Sequence, residues 1–291
     1  MNVFNPAEIG RLYVEAGSKK AGGRLEHMAI LGLLAGFLIG MGAGVTNTAA
    51  HALTDAGLAR TLSGLLFPFG LGIVMLMGAE LFTGNCMIPL AVAASRATVP
   101  GMLRNWLVVY ASNFAGAAAV AAACVYAGQL EYSDGMLAAY TIKVAAAKCS
   151  LGFGPAVVLG ILCNLLVCLG VLCSISAKDT TGKILGAYIP VAFFVICGFE
   201  HSVANMFYIP AGLFAAKVSA YAEHAAVAGL DLSALTWSNF IFKNLIPVTL
   251  GNILAGAMLA SLLWRCHVRR LAPRSSGADG VAAGKLPGHH R

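Results

Sequence analysis

Gly78-Ala-Glu80-Leu-Phe-Thr83-Gly-Asn85 and Gly198-Phe-Glu200-His201-Ser-Val-Ala-Asn205 place Gly, Glu and Asn at the same offsets in opposite halves of the chain, each inside apolar sequence. Glu80 and Glu200 are the only acidic residues within the hydrophobic spans. An ionisable side chain at membrane depth is costly enough to mark a functional region.

The surrounding sequence is that of an integral membrane protein: 59% of its 291 residues are hydrophobic and 11% charged, with a mean hydropathy of +0.80. A crossing helix needs about 20 apolar residues. Six regions qualify, near 28–50, 61–95, 105–127, 151–176, 184–214 and 240–264. The second and fifth are too long for one straight helix. Residues 1–27 lack the short apolar core of a cleaved signal peptide. The expected organisation is a cytoplasmic segment over 1–27, a transmembrane domain over 28–265 and a basic, disordered cytoplasmic tail over 266–291.

Most of the 19 Lys and Arg residues flank alternate ends of these spans: Arg11, Lys19, Lys20 and Arg24, then Arg96 and Arg104, Lys178 and Lys183, and the residues from Arg265 onward. This bias predicts cytoplasmic N- and C-termini in the inner membrane, and accounts for the formal charge of +7 without a nucleic-acid partner. The eight cysteines never form a C-x-x-C pair, so no metal or other cofactor is expected. No nucleophile with its base and no phosphate loop is apparent, which argues against an enzyme. Ahead of span one, Asn5-Pro6-Ala7-Glu8 has the form of a capping box with Pro at the first helical position. It predicts a short helix near 6–16 with Ile9, Leu12, Tyr13 and Ala16 on one face.

The internal similarity extends further. Asn105 and Asn113 in span three recur as Asn244 and Asn252 in span six, with Arg104 and Lys243 just before each pair. Spans one to three thus correspond to spans four to six. Three crossings per half force the halves to enter from opposite sides, giving an inverted 3+3 repeat with its site near the midplane. Gly78, Gly84 and Gly198 interrupt spans two and five. Broken helices are tolerated in a bilayer only when buried in protein or lining a wet cavity, and their free N–H groups favour anions. Glu80 and Glu200, with Asn85 and Asn205, are read as braces for the breaks. His201, the only His in the expected spans and beside Glu200, is read as pore-lining, since imidazole changes charge near neutral pH.

The two quoted segments, the continuation Met206-Phe-Tyr-Ile-Pro210, Gly160-Ile-Leu-Cys-Asn164-Leu-Leu-Val167-Cys168 and Asn244-Leu-Ile-Pro-Val-Thr-Leu-Gly-Asn252 resemble signatures of the formate/nitrite transporter family, in order across about 28–264. The resemblance implies an all-α, aquaporin-like protomer of six transmembrane helices, assembled into a homopentamer with one path through each protomer. It implies constrictions at Phe67, Leu71, Leu81, Phe82, Val167 and Phe194, and a path past His201, Thr83, Asn164 and Asn252. Lys148 takes the place of a lysine that draws anions into the outer vestibule. Formate is the leading substrate expectation. The Thr83-Gly84-Asn85 form keeps nitrite and hydrosulfide beside it, and proton-coupled symport beside channelling. A neutral-solute pore is a distant alternative, because paired Asn-Pro-Ala motifs are missing.

Overall fold

The computed structural model describes residues 3–269, which form helices joined by turns and short irregular links, with an isolated antiparallel bridge between Val3 and Ala177. Helix α1 (Pro6–Ala21) begins with the expected reciprocal cap. The Glu8 backbone N–H donates to Asn5 Oδ1 at 3.0 Å and the Asn5 N–H to Glu8 Oε2 at 2.8 Å. It runs past the expected end near 16 because nothing before the Gly22-Gly23 pair interrupts it.

In chain order follow α2 (Leu25–Ala50), α3 (Ala56–Leu66), α4 (Phe69–Met77), α5 (Phe82–Asn85), α6 (Pro89–Ala93), α7 (Val99–Tyr126), α8 (Met136–Cys149), α9 (Phe153–Ser176), α10 (Thr180–Cys197), α11 (Ser202–Ala215), α12 (Ser219–Val227), α13 (Trp237–Asn239) and α14 (Ile246–Leu263). Helix α14 is extended by π-helical turns at Phe240–Leu245 and Trp264–Val268. Among the described residues, six helical stretches are long and apolar enough to cross a membrane: Leu25–Ala50, Ala56–Met77, Val99–Tyr126, Phe153–Ser176, Thr180–Cys197 and Trp237–Val268.

Helix α2 packs along α7 and α9 along α14. Both pairs approach so closely that a Cβ on Gly36 would run into the backbone of Asn113, and one on Gly251 into the carbonyl of Val157. Small residues at crossings permit such contact in membranes, and at these positions the contact lies within one chain.

Several boundaries depart from the sequence reading. The second and fifth regions each hold more than one helix: helical structure pauses after Met77 and resumes at Phe82, and pauses after Cys197 and resumes at Ser202. The link between spans three and four, read as an outside loop, contains α8, which packs against α11 and buries Leu137, Thr141, Ile142 and Ala145. Its 14 residues carry Lys143 and Lys148 and are too short to register as a span. The segment expected to be a disordered tail begins inside a helical turn at Cys266, and residues 270–291 lie outside the described residues.

Candidate functional site

Both Gly-x-Glu segments adopt one local structure for one local reason. Helices α4 and α10 end at Gly78 (φ 63°) and Gly198 (φ 70°), in the left-handed region where an L side chain is strained. The chain then runs extended, and Leu81 and His201 stand as N-caps of α5 and α11.

An Asn on a neighbouring helix holds each extended strand. Asn113 Nδ2 donates to the carbonyls of Gly32 (2.7 Å) and Glu80 (2.9 Å), and its Oδ1 accepts from the Phe82 N–H at 2.9 Å. Asn252 Nδ2 donates to the carbonyls of Gly160 (2.8 Å) and Glu200 (3.2 Å), and its Oδ1 accepts from the Ser202 N–H at 3.1 Å. The Glu80 and Glu200 N–H groups donate to Leu31 and Leu159 carbonyls at 3.2 and 3.3 Å. Backbone polar groups interrupted inside apolar surroundings are thereby paired.

The carboxylates are bound just as similarly. Lys20 Nζ lies 2.8 Å from Glu80 Oε1, while Asn85 and Asn105 amides donate to Glu80 Oε2 at 2.6 and 3.3 Å. Lys148 Nζ lies 2.7 Å from Glu200 Oε1, while Asn205 and Asn244 amides donate to Glu200 Oε2 at 2.6 and 3.2 Å. Asn85 and Asn205 further donate to Asn105 Oδ1 and Asn244 Oδ1 at 2.9 and 2.7 Å. Each buried charge is therefore both paired and hydrogen-bonded, the condition under which burial is tolerated.

The halves differ where they meet. Position 81 is Leu where its counterpart is His201, and Thr83 has Val203 as its counterpart. Thr83 Oγ1 and His201 Nε2 are 2.9 Å apart, both buried. His201 Nδ1 accepts the Ala204 backbone N–H at 3.0 Å. A nitrogen that accepts carries no proton, so in the neutral ring Nε2 bears the hydrogen and donates it to Thr83. The Thr83 hydroxyl hydrogen is left free to donate onward.

Two cavities approach this pair. One of about 340 Å³ is lined by Arg60, Phe67, Lys148, Phe194, Glu200 and His201. The other, about 320 Å³, is lined by Tyr13, Lys20, Leu71, Glu80, Leu81 and Asn85. Phe67 and Phe194 meet edge to face at 5.8 Å, and Phe194 stacks on His201 at 5.8 Å. Five residues expected along the path line neither cavity: Thr83, which reaches the outer one only through His201, and Phe82, Val167, Asn164 and Asn252. The Phe82 ring packs on Tyr110 at 4.6 Å, and Val167 lies in the core. Asn164 Nδ2 donates to the Thr83 carbonyl at 3.1 Å and the Asn252 carbonyl at 2.7 Å. Asn164 and Asn252 thus position the backbone that carries Thr83 and His201.

Sequence reasoning missed Lys20, read only as a flanking charge, and Tyr13, whose hydroxyl donates to the Gly84 carbonyl at 2.7 Å. A signal for Lys20 was present: it precedes Gly32 by the same interval as Lys148 precedes Gly160. Arg60, a residue of α3 that lines the first cavity, carried no sequence signal.

Residues 7–265 match the family model described as formate/nitrite transporter. A probable formate transporter of Methanothermobacter thermautotrophicus is 37% identical over 91% of this chain and 97% of its own length. The formate channel FocA of Escherichia coli K12 is 36% identical over 91% of this chain and 94% of its own. A solved pentameric formate channel with formate bound superposes with a TM-score of 0.74 at 32% identity, over 85% of this chain and 97% of the other. With the family model and these relatives spanning almost all six apolar stretches, the chain is a multi-pass membrane protein that belongs to the formate/nitrite transporter family.

Proposed function

We propose that this chain passes formate across the inner membrane, through a path within each protomer that runs between the two cavities by way of Thr83 and His201. The observation that carries it is the Thr83–His201 hydrogen bond of 2.9 Å, set between cavities that each end at a bound Lys–Glu pair. The names of the relatives support formate as the substrate and a homopentamer as the assembly. The matched Asn113 and Asn252 networks support an inverted 3+3 repeat with spans two and five broken at Gly78 and Gly198. The Lys and Arg distribution supports cytoplasmic termini, which makes the Lys148 cavity the outer one and the Lys20 cavity the inner one.

The chemistry follows from desolvation. Phe67 and Phe194 on one side, and Leu71 and Leu81 on the other, impose a large cost on a bare anion. At the narrow point the chain His201 Nε2–H to Thr83 Oγ1–H to anion supplies one polarised donor where water is lost. Placing a second proton on the ring would require Nδ1 to become a donor facing the Ala204 N–H, and would remove the cap of α11. His201 therefore works as a neutral relay that orients the Thr83 hydroxyl. A proton that moves with the substrate travels on the carboxylate.

Proteoliposome flux of formate, nitrite and hydrosulfide, with and without a proton gradient, tests the proposal. Formate should pass fastest. Absence of formate flux would refute the assignment, and one proton moved per formate would identify passage as the neutral acid.

A further inference from the structure

Four cations border the two cavities, and three of them are neutralised. On the inner side Lys20 is paired with Glu80 and Lys19 with Glu15, each at 2.8 Å. On the outer side Lys148 is paired with Glu200 at 2.7 Å. Arg60 lines the outer cavity and has no carboxylate within 4.0 Å among the described residues. Its guanidinium rests against Gly198, where a Cβ would collide with Nη1. The helix that carries it is fixed in place, because Gly64, one turn on, packs against Ile196 of α10.

Resting on the formate reading above, we infer that Arg60, rather than Lys148, is the residue that captures the anion at the outer mouth. An ion pair with Glu200 leaves Lys148 little field of its own, whereas an unpaired charge in a cleft raises the local anion concentration. A guanidinium also suits a carboxylate: it stays charged, is weakly hydrated, and presents two parallel N–H donors to both oxygens. Arg60 thus confers on the outer cavity a net attraction that the inner cavity's paired lysines do not provide.

The competing role for Arg60 is structural, as a cation at the carbonyl end of α10. Formate flux through proteoliposomes separates the two, using the full chain with Arg60→Lys, Arg60→Gln and Arg60→Glu at about 10 mM and about 1 M salt, where the Debye length falls from about 30 to about 3 Å. Capture predicts that at low salt Arg60→Gln raises KM roughly tenfold with unchanged Vmax, within the range of electrostatic focusing. Arg60→Glu should raise it further, Arg60→Lys should restore it largely, and all four proteins should converge at high salt. A loss of Vmax or of thermal stability that salt does not relieve would assign Arg60 to the helix end and overturn the inference, as would an unchanged KM. Wild-type vesicles carrying no formate would instead refute the formate reading itself, and the inference with it.

Discussion

Thr83 Oγ1 and His201 Nε2 form a hydrogen bond of 2.9 Å although 118 residues separate them. The bond joins the two halves of the chain at two positions where they differ chemically, since Leu81 and Val203 are the counterparts of His201 and Thr83. The backbone around it is over-determined: Asn164 holds the Thr83 carbonyl, and Ala204 holds His201 Nδ1.

His201→Phe removes both the donor to Thr83 and the cap of α11. It should abolish formate flux and lower stability by about 1 kcal/mol, the usual cost of a lost N-cap. His201→Asn keeps a capping oxygen and should retain a near wild-type thermal midpoint, with reduced flux whose pH profile follows the substrate alone. Stability scans and flux between pH 5 and 8 check both; equal destabilisation by Phe and Asn would remove the capping role.

Glu200→Gln leaves Lys148 partly buried without its carboxylate, since the Lys148 and Glu200 side chains are only 17% and 6% exposed. Breaking such a pair costs roughly 3–5 kcal/mol. Lys148→Met combined with Glu200→Gln should recover much of that loss. A double-mutant cycle with no coupling would show that the pair contributes nothing.

Gly78→Ala and Gly198→Ala both force an L residue into a positive φ, at about 1–2 kcal/mol. A Cβ at Gly78 meets open space, whereas one at Gly198 runs into Arg60. Gly198→Ala should therefore be the more damaging to both thermal stability and flux. Equal effects would mean that the Arg60 side chain moves aside freely.

Asn113→Ala strips three partners at once: the carbonyls of Gly32 and Glu80 and the N–H of Phe82. Each buried group left unpaired costs about 1–3 kcal/mol. The variant should lose stability as heavily as Asn252→Ala. A large difference between the two, by thermal unfolding in one detergent, would contradict the equivalence of the halves.

Mixed pentamers of wild-type and His201→Phe protomers should conduct formate in proportion to the wild-type fraction, because Thr83 and His201 come from one chain. All-or-none loss across the mixing series would place the path between protomers.

Much of this molecule was legible in the chain. Apolar runs marked the crossings because a bilayer accepts only backbone that pairs with itself. The Gly-x-Glu segments showed where crossings stop, because Gly78 and Gly198 reach a left-handed conformation that other residues avoid. Asn5, Pro6 and Glu8 set the start of α1 through bonds spanning three residues, and the recurring Asn pairs in α7 and the last span pointed to the matched Asn113 and Asn252 networks. All of these are local in sequence, or periodic along it.

What only the tertiary structure decided depends on distances between distant segments. Lys148 read as a free cation, until the fold placed Glu200 2.7 Å away. Lys20 read as a flanking charge, until α1 carried it to Glu80. Phe82, Val167, Asn164 and Asn252 gave no sign in the sequence that they line neither cavity. Helix α8 was hidden because its burial comes from α11 and α12, not from its own hydropathy. Composition sets which groups a membrane protein must satisfy or expel, but which partner satisfies each is fixed only when helices far apart in the chain pack together.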